Sequence, residues 1–196
     1  SIHQAIDLAE SGTTIRIDQG IHLLTATIDT GGKNVTIRGV LGTDGNLLSV
    51  LNGQSLVRIA QCLSGETAET QFKDLAFENG LASGTGPDAF GGALYCLGSS
   101  PQIVNCNFQN NDAGWGGALA FYGNSISQLT GCVLTGNQAT ESGGAVIVDS
   151  SSIEFTECTF ENNQSGYNGG AVYCALPGAS TTLTNCTMTM NTAGSG

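Results

Sequence analysis

Three carboxylates are the side chains of this sequence whose positions could support catalysis. Asp88, Asp112 and Glu141 each lie in a turn that leads into one of three successive Gly-Gly-Ala segments. Two carboxyl groups held about 5 to 9.5 Å apart can hydrolyse a glycosidic bond. Acids are also common in solvent-exposed turns, and the sequence favours that ordinary explanation for all three.

Aromatic side chains in the same turns could bind a ligand without catalysis. Phe90, Trp115 and Tyr167 lie just before Gly-Gly pairs, where a ring could stack on a sugar or on a partner protein. Turn aromatics more often cover the edge of a domain. A carbohydrate-binding surface is therefore an alternative to a purely structural role.

Charge is distributed unevenly along the chain of 196 residues, whose formal net charge is −11. All five basic residues occur among the first 73 positions: Arg16, Lys33, Arg38, Arg58 and Lys73. The remaining 123 residues carry nine acids and no Lys, Arg or His, which gives a formal charge of −9. We expect no nucleic-acid partner, because phosphate contacts need Arg or Lys. Calcium is the cofactor that these acids could bind, although no regular acidic nonapeptide repeat is present.

Seven cysteines raise the question of metal or redox chemistry. An odd number cannot pair completely within one chain. Four recur at one position of a repeat: Cys106, Cys132, Cys158 and Cys186. Leu75 takes that position in an earlier copy, which favours small buried hydrophobic side chains over ligands or disulfides. Cys96 and Cys174 share a second position three copies apart, and the sequence leaves Cys62 without a counterpart.

The repeat that carries these residues is about 26 residues long. Its copies read PQIVNCNFQNN (101–111), SQLTGCVLTGN (127–137), SIEFTECTFENN (152–163) and TTLTNCTMTMN (181–191), with a diverged copy TQFKDLAFENG at 70–80. Two residues after the Cys position, each copy has a large apolar side chain: Phe77, Phe108, Leu134, Phe160 and Met188. Apolar residues alternate with polar ones, which predicts strands with one buried face. A coil this short has no room for crossover helices, so equivalent strands must stack in parallel as an all-β parallel β-helix.

One asparagine follows the apolar residues of each regular copy, where the chain must turn. These residues are Asn111, Asn137, Asn163 and Asn191. Asn tolerates left-handed backbone, and stacked Asn side chains can hydrogen-bond along an axis. We therefore predict a structural Asn ladder with left-handed backbone at these positions.

The whole chain, 1–196, is predicted to be one β-helix domain. Residues 1–12 should form a helix that covers the first coil, 13–69 irregular opening coils with strands at 13–17, 34–39 and 55–60, and 70–196 the regular coils. After the last repeat the sequence shows no cap. An open coil could be covered by the next copy of the same chain, and such head-to-tail stacking propagates as a fibre.

Residues 70–196 resemble the pectin-lyase-like superfamily of right-handed parallel β-helices. The motifs that carry the resemblance are FENG, GGALYC and SSPQIVNCNFQNNDAGWGGALAF. They are similar to the repeats of bacterial polymorphic outer-membrane proteins and autotransporter passengers, in which Gly-Gly-Ala-aliphatic accompanies Phe-x-x-Asn. The opening, SIHQAIDLAESGTTIRIDQGIH, resembles the usual start of such domains. The resemblance implies the fold and leaves the activity open, because the superfamily includes lyases, hydrolases, tailspikes and adhesins.

The residues argue against the enzymatic members of that superfamily. A lyase of this kind uses a basic residue to remove a proton, and the regular coils contain no Lys, Arg or His. The Asn-Thr-Asp, Asp-Asp and Gly-His-Gly motifs of the galacturonan hydrolases are absent. No catalytic residue is therefore assigned, with Asp88, Asp112 and Glu141 as the alternative if the chain is a glycoside hydrolase.

The sequence favours an extracellular or cell-surface protein of bacteria with a structural or adhesive role. Its expected partners are a further copy of itself, a polysaccharide, or a protein of the host or cell surface. No stretch is long and apolar enough to span a membrane, and the secretion signal that this location requires is removed or lies outside the sequence. The alternative function is a carbohydrate-active or carbohydrate-binding module.

Overall fold

A computed structural model describes residues 1–194. Residues 195–196, which the sequence assigns to the regular coils, lie outside this description. The described part contains 25 short strands, one α-helix and a 3-10 helix at Gly86–Ala89. No helix within it is long and apolar enough to cross a membrane.

The strands form four parallel sheets that run along the length of the molecule. Sheet 1 contains β1 (Thr14–Arg16), β4 (Thr36–Arg38), β7 (Gln71–Lys73), β11 (Gln102–Val104), β15 (Ile126–Thr130), β19 (Ser152–Thr156) and β23 (Ser180–Thr184). Sheet 2 contains β2 (Gly20–Leu23), β5 (Ser49–Asn52), β8 (Ala76–Glu78), β12 (Asn107–Gln109), β16 (Val133–Thr135), β20 (Thr159–Glu161) and β24 (Thr187–Thr189). Sheet 3 contains β9 (Leu81–Ala82), β13 (Asp112–Ala113), β17 (Gln138–Ala139), β21 (Gln164–Ser165) and β25 (Thr192–Ala193). Sheet 4 contains β3 (Ile28–Asp29), β6 (Ala60–Cys62), β10 (Leu94–Leu97), β14 (Leu119–Tyr122), β18 (Val146–Val148) and β22 (Val172–Cys174).

Each strand pairs in parallel with the equivalent strands of the preceding and following coils. In sheet 1, for example, Ile103 is in register with Phe72 on one side and Leu129 on the other. From β7 onward the chain thus winds through the sheets in the order 1, 2, 3, 4 before it begins the next coil, whereas the two opening coils have no strand in sheet 3. This arrangement is a parallel β-helix, which confirms the fold predicted from the repeat.

The interior of the coils is filled by the apolar rows found in the sequence. Leu75, Cys106, Cys132 and Cys158 are 0–1% exposed. The rings of Phe77 and Phe108 stack with centroids 4.9 Å apart. Burial of one large apolar side chain contributes roughly 1.5–3 kcal/mol. Because equivalent apolar side chains are buried in successive coils, each coil adds its own share of hydrophobic stabilisation.

The thiols of the Cys row behave as weak hydrogen-bond donors inside this core. Cys132 Sγ lies 3.7 Å from the carbonyl oxygen of Ile103, and Cys158 Sγ lies 3.5 Å from that of Leu129. Cys62, which the sequence leaves without a counterpart, lies on β6 in register with Cys96 on β10. The opening coil is longer than the regular repeat, so sequence spacing conceals this second pair.

The two corners that flank sheet 2 have left-handed backbone in each regular coil. One falls at Asp74, Asn105, Gly131, Glu157 and Asn185, and the other at Asn79, Asn110, Gly136, Asn162 and Met190. The expectation that Asn111, Asn137, Asn163 and Asn191 adopt this backbone is wrong, because the left-handed residue is the one before each of them. The ladder residues instead turn their side chains inward, where an amide can reach the next coil.

The Asn side chains hydrogen-bond along the helix axis. Asn111 Nδ2 donates to Asn137 Oδ1 at 3.0 Å, and Asn137 Nδ2 donates to Asn163 Oδ1 at 2.9 Å. The series continues from Asn163 to Asn191 at 2.8 Å. Each amide also donates to a core carbonyl, as Asn137 does to Phe108. Buried polar groups at this corner are therefore satisfied by one another.

The first coil is covered by helix α1 (Ile2–Leu8), which begins with a capping box at Ser1. Ile6 is buried, and Ile2, Ala5 and Ala9 pack against the main core. Lys33 Nζ donates to the carbonyl oxygens of Ile6 and Asp7 at 2.7 Å, which satisfies free acceptors at the end of the helix. The strand predicted at 55–60 is not formed, because the chain loops there and the strand begins at Ala60.

A buried carboxylate joins the opening coils to the regular ones. Glu66 is 2% exposed and accepts hydrogen bonds from Thr30 Oγ1 at 2.6 Å, Ser99 Oγ at 2.8 Å, and the amides of Gly32 and Ser64 at 2.9 Å. Burial alone would raise the pKa of Glu66, but the hydrogen bonds from Thr30, Gly32 and Ser64 outweigh it and lower the pKa. The ionised carboxylate thus holds three successive coils together.

Candidate functional site

The outer wall of sheet 4 is apolar over several coils. Its outward-facing row runs through Tyr95, Ala120, Ile147 and Tyr173, which are in register on β10, β14, β18 and β22. Tyr95, Ala120 and Ile147 are 0–3% exposed. Strands of a solenoid usually show polar residues outside, so burial on both faces means that other side chains cover this wall.

The cover is a set of aromatic rings from the flanking positions. Phe90 and Trp115 lie on one side of the row, where they form a parallel bridge between adjacent coils. Tyr122 lies on the other side, and its ring stacks on Phe90 with centroids 4.4 Å apart and planes inclined by 15°. Tyr95 lies beneath this pair and meets both rings edge to face.

Glycine makes this approach of the rings possible. Gly91 and Gly116 directly follow Phe90 and Trp115 and have φ angles of +59° and +63°. A Cβ at Gly91 would collide with the carbonyl oxygen of Leu94. The Gly-Gly corner therefore turns the chain sharply into sheet 4 and leaves the preceding ring lying over the wall.

The rings border a groove of about 430 Å³ on the surface. Its lining consists of Phe90, Trp115, Tyr122, Ile147, Asp149, Tyr173, Ala175 and Leu176, and we call this set the aromatic groove. Asp149 aligns with Tyr122, because its amide donates to the carbonyl of Phe121 on the preceding coil. The groove thus combines flat apolar surfaces with one carboxylate.

Arg58 fixes the loop that carries Phe90. Its Nε donates to the carbonyl oxygens of Phe90 at 3.0 Å and Gly91 at 3.1 Å, and its Nη2 donates to that of Pro87. The guanidinium lies 5.2 Å from the centroid of the Tyr95 ring. Burial lowers the pKa of Arg58, against the opposing effect of Asp88. Arg58 is therefore a positioning residue for the rings above it.

Comparison with known families agrees with this architecture. A family model described as the right-handed β-helix region matches residues 19–196. The chain belongs to this right-handed β-helix family. A search of the curated proteins finds no match to this β-helix. Family membership supports the likeness to the pectin-lyase-like superfamily at the level of the fold. The fold alone does not identify a function.

In this β-helix the three candidate carboxylates occupy different register positions. Asp112, on β13, is in register with Leu81 and Gln138. Glu141 lies three residues beyond Gln138, and Asp88 lies in the 3-10 helix at Gly86–Ala89. Three extended residues span roughly 10 Å. Asp112 and Glu141 therefore do not stack as a pair on adjacent strands.

The surroundings of these acids are those of solvent-facing turns. Asp88 and Asp112 are exposed and Glu141 is half-buried. Partial burial raises the pKa of Asp112, and a hydrogen bond from the Ala113 amide acts against this shift. Among residues 1–194, no group of three or more His, Cys, Asp or Glu side chains is placed to hold a metal ion. Calcium binding stays a prediction from composition.

Sequence reasoning located part of the aromatic groove. Phe90, Trp115 and Tyr167 are the turn aromatics for which the sequence allows ligand stacking as an alternative to covering the domain edge. Phe90 and Trp115 line the groove, whereas Tyr167 is 54% exposed and lies outside it. Tyr122, Tyr173 and Asp149 were missed. The signal for the two tyrosines is their outward position on the strands that follow Gly-Gly-Ala, in AFY (120–122) and VYC (172–174).

Proposed function

We propose that this β-helix is a non-catalytic adhesive module of the cell surface that binds polysaccharide in the aromatic groove. The observation that carries the proposal is the set of rings from Phe90, Trp115, Tyr122 and Tyr173 around one continuous groove. Aromatic rings bury the apolar faces of sugars over a large area, and polar tips bind the hydroxyl groups.

The scaffold suits a binding surface of this kind. Phe90 to Tyr173 span four coils whose strands pair in register, so the spacing between the rings is fixed by the backbone. A preorganised surface loses little entropy on binding. Its lining residues come from four successive coils, so the groove extends along the axis of the solenoid.

The alternative of a polysaccharide hydrolase has less support. It needs two carboxylates on either side of one bond, and Asp112 and Glu141 do not stack on adjacent strands. The aromatic groove contains Asp149 as its carboxylate. Binding without cleavage therefore fits the side chains better.

Location at the cell surface is part of the proposal. Five of the seven thiols are buried, namely Cys62, Cys96, Cys106, Cys132 and Cys158. Burial protects a thiol from oxidants. These five thiols would therefore resist an oxidising exterior, whereas the exposed Cys174 and the partly exposed Cys186 stay accessible to oxidants.

Head-to-tail assembly into fibres stays a prediction. The apolar side chains of the last described coil, such as Leu183 and Met188, are 45% and 44% exposed. Helix α1 packs on the first coil at the other end. A second copy that stacked there would have to displace α1, so side-wall binding accounts for adhesion with less rearrangement.

The proposal is tested by pull-down of the protein on a panel of insoluble polysaccharides, followed by calorimetry with soluble oligosaccharides. Trp115→Ala should weaken binding about tenfold, which corresponds to loss of one stacking contact. Tyr167→Ala removes an exposed ring of the neighbouring turn and should leave binding unchanged. Absence of binding to every polysaccharide, or equal affinity of the Trp115→Ala variant, would overturn the proposal.

A further inference from the structure

The charged residue of the aromatic groove is Asp149. Ser150 Oγ donates to its Oδ1 at 2.9 Å. The one salt bridge among residues 1–194 joins Arg38 to Asp74, so no cation of the described chain neutralises Asp149. The carboxylate of Asp149 is therefore the group of the groove that can pair with a positive charge on a ligand.

The aromatic rings, like the carboxylate of Asp149, favour a positively charged ligand. A cation within about 6 Å of a ring face is attracted by the negative face of the ring, with Trp as the best partner. Phe90, Trp115, Tyr122 and Tyr173 all line the groove. Burial raises the pKa of Tyr122, and the charge of Asp149 raises it further. The negative field of Asp149 therefore reaches the ring of Tyr122, which lines the groove.

The neighbouring charges do not reverse this field. The nearby cation, Arg58, lies against Tyr95 beneath the rings, and its charge acts on Tyr95. The charge of Asp149 acts on Tyr122, which lines the groove. Asp88 acts on Arg58 from the loop side. Every charged residue after Lys73 is acidic. An anionic polymer would thus meet repulsion, and a neutral one would leave Asp149 without a counter-charge.

We infer that the aromatic groove binds an amino-sugar polysaccharide with free amines, whose ammonium groups pair with Asp149 while the sugar rings stack on the aromatic side chains. This inference rests on the proposed polysaccharide-binding function and specifies its ligand. It also assigns Asp149 as the residue that distinguishes a cationic sugar from a neutral one. The ligand class follows from charge complementarity together with the flat surfaces of the groove.

The test compares two oligosaccharides with the same backbone by calorimetry. One is a glucosamine oligomer with free amines, and the other is its fully N-acetylated form, which has no charge. The free-amine oligomer should bind about fivefold more tightly, the upper range for one partly exposed ion pair, and added salt should reduce this difference. Asp149→Asn, which keeps the shape of the side chain, should remove the preference, whereas the exposed Asp112→Asn should retain it.

The outcomes separate this inference from the proposed function. Equal binding of both oligomers, unchanged by Asp149→Asn, would overturn the charge assignment and leave polysaccharide binding intact. Failure of both oligomers and of the polysaccharide panel would overturn both. Binding of a lysine-rich peptide in place of either sugar would also overturn the inference, because the cation would then belong to a protein.

Discussion

The rings of Phe90 and Tyr122 stack 4.4 Å apart although the two residues belong to different coils and lie on opposite sides of the Tyr95 row. Phe90 can reach Tyr122 because Ala120, in register with Tyr95, is small. The contact therefore depends on residues from a loop, a strand and a neighbouring coil. Any change that releases the Phe90 loop should disturb the groove without opening the core.

Arg58→Ala should release this loop, because the arginine donates to the carbonyl oxygens of Pro87, Phe90 and Gly91. We expect polysaccharide affinity to fall about threefold or more as the rings lose their preorganisation. The emission of Trp115, the one tryptophan of the chain, should shift to longer wavelength. The lysine ammonium group cannot reproduce the directed hydrogen bonds of the planar guanidinium, so Arg58→Lys should show the same shift in Trp115 emission.

The control for this prediction is Arg16→Ala, which removes an exposed cation from the first coil. It should change neither the fluorescence nor the affinity. If Arg58→Ala also leaves both unchanged while the melting temperature falls, Arg58 stabilises the fold and does not position the groove.

Asn137→Ala should be strongly destabilising. The Asn137 side chain is fully buried, donates to Phe108 and Asn163, and accepts from Asn111. Its removal leaves several buried groups without partners, which costs about 2–4 kcal/mol. Urea unfolding followed by circular dichroism measures the loss.

Asn110→Gly is the matched control for Asn137→Ala. Asn110 has a φ of +52° and takes the position that Gly136 takes in the next coil, so glycine should fit there with a change of about 0.5 kcal/mol or less. A large loss for Asn110→Gly and a small one for Asn137→Ala would mean that the left-handed corner, not the amide ladder, holds the coils in register.

Much of the fold could be predicted because the inward positions repeat. The alternation around Cys106, Cys132 and Cys158 identifies buried side chains regardless of what lies outside. The left-handed residue was misplaced by one position, since Asn110–Asn111 and Asn162–Asn163 are both Asn pairs. Gly136, before Asn137, was the available clue to which member of the pair is left-handed.

The candidate site was harder to predict, since it depends on neighbours in other coils. Tyr95 is part of a covered wall because the rings of Phe90 and Tyr122 contact it. These two residues come close to Tyr95 only after folding, so the sequence alone does not show that it is covered. Asp149 gives no sequence signal at all. Only the folded structure places Asp149 beside the aromatic rings of the groove.

Glu66 should make stability depend on pH. Its pKa is lowered in the folded protein, so the folded state gains stability above the ordinary pKa of a glutamate, about 4.3. That stability should disappear as the pH falls through the folded value. Glu66→Gln should remove it at neutral pH, at a cost of about 3 kcal/mol or more, because the donors around the site lose their charged acceptor.

Calorimetric melting between pH 7 and pH 3 tests the role of Glu66. The wild-type protein should lose melting temperature towards acid more steeply than Glu66→Gln. The exposed Glu69→Gln should follow the wild type. Parallel curves for all three proteins would show that Glu66 does not contribute through its charge.

The three turn carboxylates provide the last prediction, which separates adhesion from catalysis. A triple variant with Asp88→Asn, Asp112→Asn and Glu141→Gln should bind polysaccharide as the wild type does, because none of these residues lines the aromatic groove. Neither protein should release reducing ends from a polysaccharide that it binds. If the wild type releases them and the triple variant does not, the turn acids form an active site and the adhesive proposal fails. If both release them, the carboxylate of Asp149 becomes the residue to replace next.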